Sequence, residues 1–191
     1  MKKSIRTTSL LAALVLTSTA CRPMAEQVQS DFAGLNGGFE HVEDDLPVNW
    51  LVYTEETVPS GRFDVLLDTT DYKEGEQSLL FRIEECAATG GWYSPGISNQ
   101  LPATPDTTYR LRCWIKSEGC DWTLSVGGVA AKTGEYDRIP SSRFEEGDWQ
   151  EVRHEYTLPP EYEELRIELS ITSPGRLWID GLVLEPALSG G

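Results

Sequence analysis

The feature that most constrains this chain is a strict alternation of apolar and polar residues near its C-terminal end. In residues 165–171 every second side chain is leucine or isoleucine, and the side chains between them are arginine, glutamate and serine. Val152, Tyr156 and Leu158 share one side of an earlier stretch in the same way. A period of two is typical of a β-strand with one buried face, and no stretch of the sequence shows a sustained helical period. The sequence therefore predicts an all-β protein.

Strand candidates recur along the chain and are bounded by glycine, proline, aspartate and serine. Their number and spacing favour a two-sheet β-sandwich of jelly-roll type with no long helix. At 191 residues the chain fits one such domain with an additional export segment. A single helical turn is predicted at residues 159–162. The predicted strands are residues 49–55, 63–69, 77–85, 97–101, 107–117, 122–127, 149–158, 165–172 and 176–184.

The N-terminal segment has the order of an export signal. Lys2, Lys3 and Arg6 precede an apolar stretch at residues 9–16, which is too short to span a bilayer. Small residues then lead directly to Cys21. This order resembles a bacterial lipoprotein signal, in which the cysteine receives the lipid.

The chain is thus predicted to contain a signal peptide (residues 1–20), a tether (21–34) and a β-sandwich (35–187). Lipid on Cys21 would hold the mature protein at the bacterial cell envelope, in the outer membrane of a Gram-negative cell. Ser18 stands where lipoprotein signals usually carry a large aliphatic residue. Ordinary cleavage after residue 20, which would release a secreted protein, therefore stays open.

The sequence is strongly acidic, with 31 Asp and Glu against 16 Lys and Arg and a net charge of −15. Such a field repels phosphate backbones, so nucleic acid is excluded as a partner. A divalent cation would neutralise part of the charge, because hard cations bind carboxylate oxygens.

Three cysteines follow Cys21, and export to an oxidising compartment favours one disulfide and one free thiol. Cys113 shares its side of a predicted strand with apolar residues, so it is predicted to be a small core residue. Cys86 and Cys120 are therefore predicted to form the bridge. A bridge from Cys113 to either of them is the alternative.

Outward positions of several predicted strands carry charge. Arg82, Arg112 and Arg153 alternate with apolar residues, Trp114 lies on the same side as Arg112, and Arg166 is outward in a later strand. One sheet is therefore predicted to have a charged outer face. That face is either a ladder of cross-strand ion pairs, each worth roughly a few tenths of a kcal/mol, or a polar platform for sugar. On such a platform the arginines would bind hydroxyls and Trp114 would support a pyranose ring.

A glycine-rich loop at residues 89–96 contains the adjacent aromatic residues Trp92 and Tyr93. Two neighbouring aromatic side chains in such a loop cannot easily both face a core. One of them is therefore predicted to pack on a sugar. Trp122 and Tyr136 are further, less central candidates.

Several segments resemble, in order and spacing, the CenC-type carbohydrate-binding modules, which are galactose-binding-like jelly rolls. Residues 36–40 (NGGFE) resemble the opening strand of that family, and residues 47–50 (PVNW) its next element. Residues 106–116 resemble the central strand, and residues 179–180 the last strand. The resemblance covers nearly the whole predicted sandwich and implies a non-catalytic glycan-binding domain.

That family has a structural calcium ion between its first and last strands. By position, the resemblance implies Glu40 and Asp180 as side-chain ligands, the carbonyl of Gly38, and oxygens from Asp71 and Glu74. Calcium takes 6–8 oxygen ligands in flexible geometry, so carboxylates with carbonyls and water would suffice. The alternative is that the acids are ordinary residues at strand ends.

The sequence contains no catalytic pattern. His154 alternates onto the apolar side of its strand and is predicted to be a core residue, and His41 is predicted at the surface. The resemblance also implies that Trp50, Trp149 and Trp178 belong to the core. No nucleophile motif, zinc motif, phosphate loop or dinucleotide fingerprint occurs in the sequence.

The leading hypothesis is therefore a non-catalytic glycan-binding protein of the cell envelope. One alternative is an envelope protein that uses the same sandwich to bind another protein or to pack in an assembly. A small polysaccharide lyase or hydrolase is the third hypothesis.

Overall fold

A computed structural model describes residues 34–58, 60–129 and 134–187. The predicted signal peptide, Cys21 and all but the last residue of the predicted tether lie outside this part of the chain. Within it, no helix is long and apolar enough to cross a membrane.

The described residues form two five-stranded antiparallel sheets and a short hairpin. The strands are β1 (Val42–Glu43), β2 (Leu46–Pro47), β3 (Leu51–Tyr53), β4 (Gly61–Asp68), β5 (Ser78–Cys86), β6 (Gly96–Pro102), β7 (Thr108–Glu118), β8 (Trp122–Val129), β9 (Gly134–Pro140), β10 (Gln150–Thr157), β11 (Glu164–Ile171) and β12 (Gly175–Pro186). Strands β1 and β2 pair with each other. The first sheet has the order β10-β7-β12-β5-β4, and the second has the order β3-β6-β11-β8-β9. The predicted all-β, two-sheet sandwich is confirmed.

Strand β11 shows how the alternation in the sequence builds the core. It lies between β6 and β8, and its inward side chains Leu165, Ile167, Leu169 and Ile171 are completely buried. They belong to one core cluster with Cys113 of the first sheet, which is also completely buried. Burying each large aliphatic side chain is worth about 1.5–3 kcal/mol relative to exposure. The predicted inward faces of β10 and β11 and the core position of Cys113 are confirmed.

Strand β9 and the β1–β2 hairpin were not predicted. In β9 only Ile139 is buried, because the strand lies at the edge of the second sheet and exposes most of its side chains. Such a strand lacks the apolar alternation that identifies a half-buried strand. Each hairpin strand has only two residues, which is too short for any periodicity.

The prediction that one sheet carries all the outward charges was wrong. Arg82, Arg112 and Arg153 are on strands of the first sheet, whereas Arg166 is on β11 of the second sheet. The outward residues of the two sheets therefore face opposite sides of the sandwich. Alternation fixes which residues of a strand are outward, but it does not fix which sheet contains the strand.

The outer face of the first sheet is a ladder of ion pairs. Arg110 pairs with Glu155 at 2.8 Å, and Arg153 pairs with Glu151 at 2.7 Å. Arg62 pairs with Glu84 nearby. Exposed pairs of this kind contribute only about 0–1 kcal/mol each. Of the two interpretations of these charges, the ion-pair ladder describes the first sheet.

The predicted Cys86–Cys120 disulfide is not formed in the structure, where Cys86, Cys113 and Cys120 are free thiols. The thiol of Cys120 instead donates a hydrogen bond to the carbonyl oxygen of Arg176, at 3.3 Å. Burial raises the pKa of Cys120 to about 12, and nearby acids and the neighbouring Cys86 add to this effect. The pairing of Cys86 with Cys120 in an oxidising compartment stays a prediction.

Three further positions differ from expectation. His154 lies at the rim of the sandwich rather than in the core, and its Nε2 is 2.7 Å from Oδ2 of Asp137. Trp149 is only half-buried. Trp122, a candidate sugar contact, is buried and stacks on Phe144 with 5.4 Å between ring centroids. Trp50 is buried in the core cluster, as the resemblance implied, but Trp178 is a fourth position that differs: it is buried on the outward side of β12 and is not part of that cluster.

The segment at residues 159–162 forms a single turn between β10 and β11. It is closed by a hydrogen bond from the backbone N–H of Tyr162 to the carbonyl of Pro159, at 3.2 Å.

Candidate functional site

The outer face of the second sheet forms a polar floor. Strand pairing aligns its outward residues into rows that cross the sheet, and the middle row runs Leu51, Ser98, Glu168, Ser125, Arg138. The serine side chains are short, so they leave room above the sheet. The longer side chains of the row are Leu51 and Arg138 at its ends and Glu168 in its centre.

The rows on either side complete this floor. One row contains Gln100, Arg166, Gly127 and Tyr136. The other row contains Tyr53, Gly96, Ser170, Thr123 and Pro140.

Two aromatic rings stand at the edge of this floor, on the connection between β5 and β6. Trp92 and Tyr93 belong to a short 3₁₀ turn, Gly91–Tyr93, and the two residues are 58% and 42% exposed. Their ring centroids are 4.7 Å apart. The expectation that adjacent aromatics in this loop do not both face the core is confirmed. Both rings are available to a ligand.

The turn that carries these rings is fixed to the sheet. The backbone N–H of Gly91 donates to Oγ of Ser170 on β11, at 2.9 Å, and the N–H of Gly90 donates to Oγ of Ser94, also at 2.9 Å. The hydroxyl of Ser94 in turn donates to the carbonyl of Ala87, at 2.6 Å. Gly90 has φ 77° and ψ −178°, a backbone conformation that is essentially restricted to glycine. The loop therefore holds its aromatic rings in a defined position.

The floor and the loop enclose two adjoining cavities of about 430 and 360 Å³. Trp92, Arg166 and Glu168 line both of them, so the two cavities form one continuous groove. Tyr136 and Arg138 lie in the larger cavity. We call this groove the second-sheet cleft. Besides the residues above, it is lined by Leu51, Tyr53, Thr57, Thr89, Gly90, Gly91, Tyr93, Thr123, Ser125, Ser170 and Thr172.

The second-sheet cleft offers hydrogen-bond donors and acceptors together with aromatic surface. The guanidinium of Arg166 donates to the side-chain oxygen of Gln100, at 3.0 Å, and the hydroxyl of Tyr53 donates to Oγ of Ser98, at 3.2 Å. Burial and the nearby Glu168 raise the pKa of Tyr53, so its hydroxyl stays protonated at neutral pH. Such a surface suits a ligand that has both hydroxyl groups and apolar ring faces.

The outer face of the first sheet also has a cavity, of about 460 Å³. Arg110, Arg112 and Arg153 line it, but each of them is paired with a carboxylate. Tryptophan, tyrosine and phenylalanine are absent from the described residues that line it. It therefore lacks the aromatic platform that the second-sheet cleft provides.

Trp114, the predicted platform of the first sheet, is already covered. The ammonium of Lys73 lies 4.3 Å from the centre of its ring, and its indole N–H donates to Glu74 at 3.2 Å. Arg112 donates to the same Glu74 oxygen at 2.7 Å, and this hydrogen bond lowers the pKa of Glu74. Arg82 is exposed on β5, on the same sheet. The predicted ligand-binding residues thus divide between two faces: Trp92 and Tyr93 border the second-sheet cleft, and Trp114, Arg82, Arg112 and Arg153 are on the first sheet.

The loop that lies over Trp114 connects β4 to β5. One acid at the end of β4 and one in this loop accept hydrogen bonds from the tryptophans beneath. Asp68 accepts a hydrogen bond from the indole N–H of Trp178, at 2.9 Å, and Asp71 accepts one from Trp149, also at 2.9 Å. Lys116 donates to the other oxygen of Asp71 at 2.7 Å. These contacts hold the indole groups of Trp149 and Trp178 in place and give them a structural role.

The residues implied as calcium ligands already have protein donors. Oδ2 of the completely buried Asp180 accepts the backbone N–H groups of Lys73 and Glu74, at 2.7 and 2.8 Å, and Oδ1 accepts that of Gly181, at 2.6 Å. Burial raises the pKa of Asp180, and these three bonds oppose the rise. Glu40, which lies beside Gly38, accepts the N–H of Glu76 at 2.8 Å.

Asp71 accepts hydrogen bonds from Trp149 and Lys116, and Glu74 accepts them from Arg112 and Trp114. Among the described residues, no three Asp, Glu, His or Cys side chains converge as metal ligands would. Both carboxylate oxygens of Asp71 and of Asp180 already accept protein donors, so an ion there would have to share or replace those contacts. Calcium binding stays a prediction.

The sequence identified parts of the second-sheet cleft but not their combination. Trp92, Tyr93 and Tyr136 were candidate sugar contacts, and Arg166 was predicted only to be outward. Arg138 was not identified, because β9 has no alternation. Only the strand order brings β9 and β11 to either side of β8. A clue to the cleft is the run of small outward residues on β8, which leaves space above the sheet.

No family model matches the chain, and no curated protein matches it. Solved structures do match. The CBM22-1 xylan-binding domain of Xyn10C from Paenibacillus barcinonensis is 14% identical with a TM-score of 0.56, and the match covers 81% of this chain and 94% of that one. The C-terminal family 22 carbohydrate-binding module of Xyn10B from Clostridium thermocellum is 19% identical with a TM-score of 0.55, covering 80% of this chain and 92% of that one.

A longer chain also matches, the CBM22-1 and GH10 modules of endo-1,4-β-D-xylanase 10B from Clostridium thermocellum in complex with xylohexaose. It is 11% identical with a TM-score of 0.54, and the match covers 72% of this chain but only 26% of that one. At these identities the likenesses establish the fold: the described sandwich has the architecture of carbohydrate-binding modules.

Proposed function

We propose that this protein is a non-catalytic glycan-binding protein and that a polysaccharide or oligosaccharide lies in the second-sheet cleft. The observation that carries the proposal is the pair of exposed rings, Trp92 and Tyr93, held over a floor of hydroxyl, guanidinium and carboxylate groups. A pyranose ring has apolar C–H faces and a rim of hydroxyls. It can therefore pack on an indole ring while its rim forms hydrogen bonds with the floor.

The size and shape of the second-sheet cleft agree with this role. Its two cavities, of about 430 and 360 Å³, each fall within the range of about 300–1,000 Å³ that is usual for small-molecule sites. Because they adjoin at Trp92, a chain of linked sugars fits the groove better than a single small molecule. The solved structures that this chain covers almost completely are described as binding domains, which supports binding rather than catalysis.

We also propose that the protein is exported and anchored at the bacterial cell envelope through lipid on Cys21. The order of basic, apolar and small residues before Cys21 supports this placement. Metabolic labelling with a fatty-acid analogue should mark the wild type and not Cys21→Ser. Recovery of unlabelled soluble protein from both would show ordinary signal cleavage instead.

The glycan proposal is tested by titrating soluble polysaccharides, xylan among them, into the protein in a calorimeter. Trp92→Ala should weaken binding at least tenfold, which corresponds to about 1.4 kcal/mol, because it removes the exposed ring that the two cavities share. Trp114→Ala is the matched control. It removes a tryptophan from the outer face of the first sheet and should leave glycan affinity unchanged.

A loss of affinity in Trp114→Ala with no loss in Trp92→Ala would move the site to the first sheet. Absence of binding across a broad glycan panel would instead favour the envelope-interaction hypothesis. Release of products from any polysaccharide in the panel would favour the enzyme hypothesis.

A further inference from the structure

The second-sheet cleft contains two arginines that have no carboxylate partner among the described residues. Arg138 is exposed on β9, and no ion pair within 4.0 Å joins it to an acid in the described part of the chain. Arg166 donates to the neutral amide oxygen of Gln100. Both line the larger cavity.

Most arginines of the first sheet, by contrast, form ion pairs. There Arg62, Arg110, Arg112, Arg153 and Arg176 are each paired with a glutamate, and Arg82 is the one arginine of the described strands of that sheet without such a pair. The chain has nearly twice as many acids as bases, so carboxylate partners are plentiful. Two cations that line a cavity without such partners therefore remain available to a ligand.

Glu168, the one acid among the described residues that line the larger cavity, is held away from Arg138. The carboxylate of Glu168 accepts a hydrogen bond from the hydroxyl of Ser170, at 3.3 Å, and a Cβ added to Gly91 would lie 3.5 Å from its Oε1. Glu168 therefore points to the aromatic loop. Strand β8 separates β11 from β9, so the backbones at Glu168 and Arg138 are two strand spacings apart, roughly 10 Å.

We propose that the second-sheet cleft selects glycans that carry anionic substituents, either uronic acid carboxylates or sulfate esters. This inference rests on the proposed glycan binding and names the class of sugar. A guanidinium presents two parallel N–H donors that match the two oxygens of a carboxylate or the oxygens of a sulfate. The neutral rim of the same sugar chain is bound by the hydroxyls of the floor, and its ring face by Trp92.

The net charge of −15 does not oppose this selection at short range. Exposed charges separated by more than about 8–10 Å are largely screened at physiological ionic strength. A substituent in direct contact with Arg138 is therefore governed by the local cations. Acids on distant surfaces contribute a weaker repulsion, which added salt reduces.

The test compares each charged polysaccharide with its neutral derivative. Wild-type protein is titrated with a uronic-acid-containing xylan and with the same xylan after reduction of its carboxyl groups, and separately with a sulfated galactan and its desulfated form. At least tenfold tighter binding of a charged form is expected, and the pair that shows it identifies the substituent.

Arg138→Gln should reduce that preference to less than threefold while the neutral form still binds. Arg82→Gln is the matched control, since it removes an exposed arginine from the first sheet, and it should keep the preference. Equal affinity of wild type for charged and neutral forms would overturn the anionic preference and leave glycan binding intact. Binding of neither form, together with a blank neutral panel, would overturn the proposed function itself.

Discussion

Oδ2 of Asp180 lies 2.8 Å from the backbone nitrogen of Glu74, a residue 106 positions earlier in the chain. The same oxygen accepts the N–H of Lys73, and the other carboxylate oxygen accepts that of Gly181. The β4–β5 loop is thus tied to the last strand by one completely buried carboxylate. That loop lies over Trp114, so Asp180 indirectly holds in place the residues that occupy this part of the outer face of the first sheet.

Asp180→Ala should destabilise the protein by about 2–4 kcal/mol, because three backbone N–H groups lose their buried acceptor. For a domain of this size, that loss corresponds to a fall in Tm of roughly 5–15 °C. Thermal unfolding followed by circular dichroism measures it. Glu185→Ala, which removes an exposed carboxylate from the same strand, should change the stability by less than about 0.5 kcal/mol. Equal melting of both variants would show that the Asp180 contacts contribute little.

The same experiment in chelator separates this role from the predicted calcium site. The effect of Asp180→Ala should persist in chelator, because the N–H donors need the carboxylate whether or not an ion is present. Melting of the wild type in chelator and in excess calcium then tests the ion itself, since binding to the folded state alone raises stability by RT ln(1 + [L]/Kd). A rise in Tm with calcium that magnesium does not reproduce would support a calcium site, and identical curves would remove it.

The protein should lose stability in acid as Asp68 becomes protonated. Burial alone would raise the pKa of Asp68, but hydrogen bonds from Thr70, Trp178 and Asp71 outweigh it and lower the pKa to about 2. A carboxyl whose pKa is lower in the folded than in the unfolded protein stabilises the folded state at pH values above its unfolded pKa, which is near 3.9. This stabilisation is lost as the pH falls to about 2. After allowance for solvent screening, the loss is on the order of 1 kcal/mol.

Chemical denaturation between pH 5 and pH 2 measures this contribution. Asp68→Asn should lose less stability over that range than the wild type, and the difference should develop between about pH 4 and pH 2. Asp64→Asn, which removes an exposed carboxylate from the same strand, serves as the control and should follow the wild type. Parallel curves for the wild type and Asp68→Asn would contradict the prediction.

A feature of this fold could be predicted from the sequence when the residues that determine it are close together in the chain. The inward face of β11 follows from alternation within eight residues, so it was predicted correctly. The sheet that contains β11 depends on pairing with β6 and β8, which are distant in the chain, and it was not predicted. The donors to Asp180 are backbone N–H groups, which nearly every residue carries, so no residue type marks them in a sequence.

Gly90→Ala should weaken glycan binding although it removes no side chain from the second-sheet cleft. The ψ of −178° at a φ of 77° costs a residue with a side chain about 1–3 kcal/mol, so the loop would relax and displace Trp92. Gly119→Ala is a suitable control, because Gly119 also has a positive φ, of 74°, and a Cβ there meets no atom within 4 Å. Both variants should lose stability, and only Gly90→Ala should lose glycan affinity, by several-fold in calorimetry. An equal loss of affinity in both would mean that the loop position does not matter.

The remaining prediction concerns the three thiols. Cys113 is completely buried, and burial raises its pKa, so it should resist alkylation until the protein unfolds. Protein from an oxidising compartment should yield a Cys86–Cys120 linked peptide in a non-reducing map. Closing that loop of about 34 residues would stabilise the fold by roughly 3–4 kcal/mol in the chain-entropy model, so the reduced form should melt at a lower temperature. A link that includes Cys113 would require a different arrangement of β7, because Cys113 could reach a partner only by leaving the core.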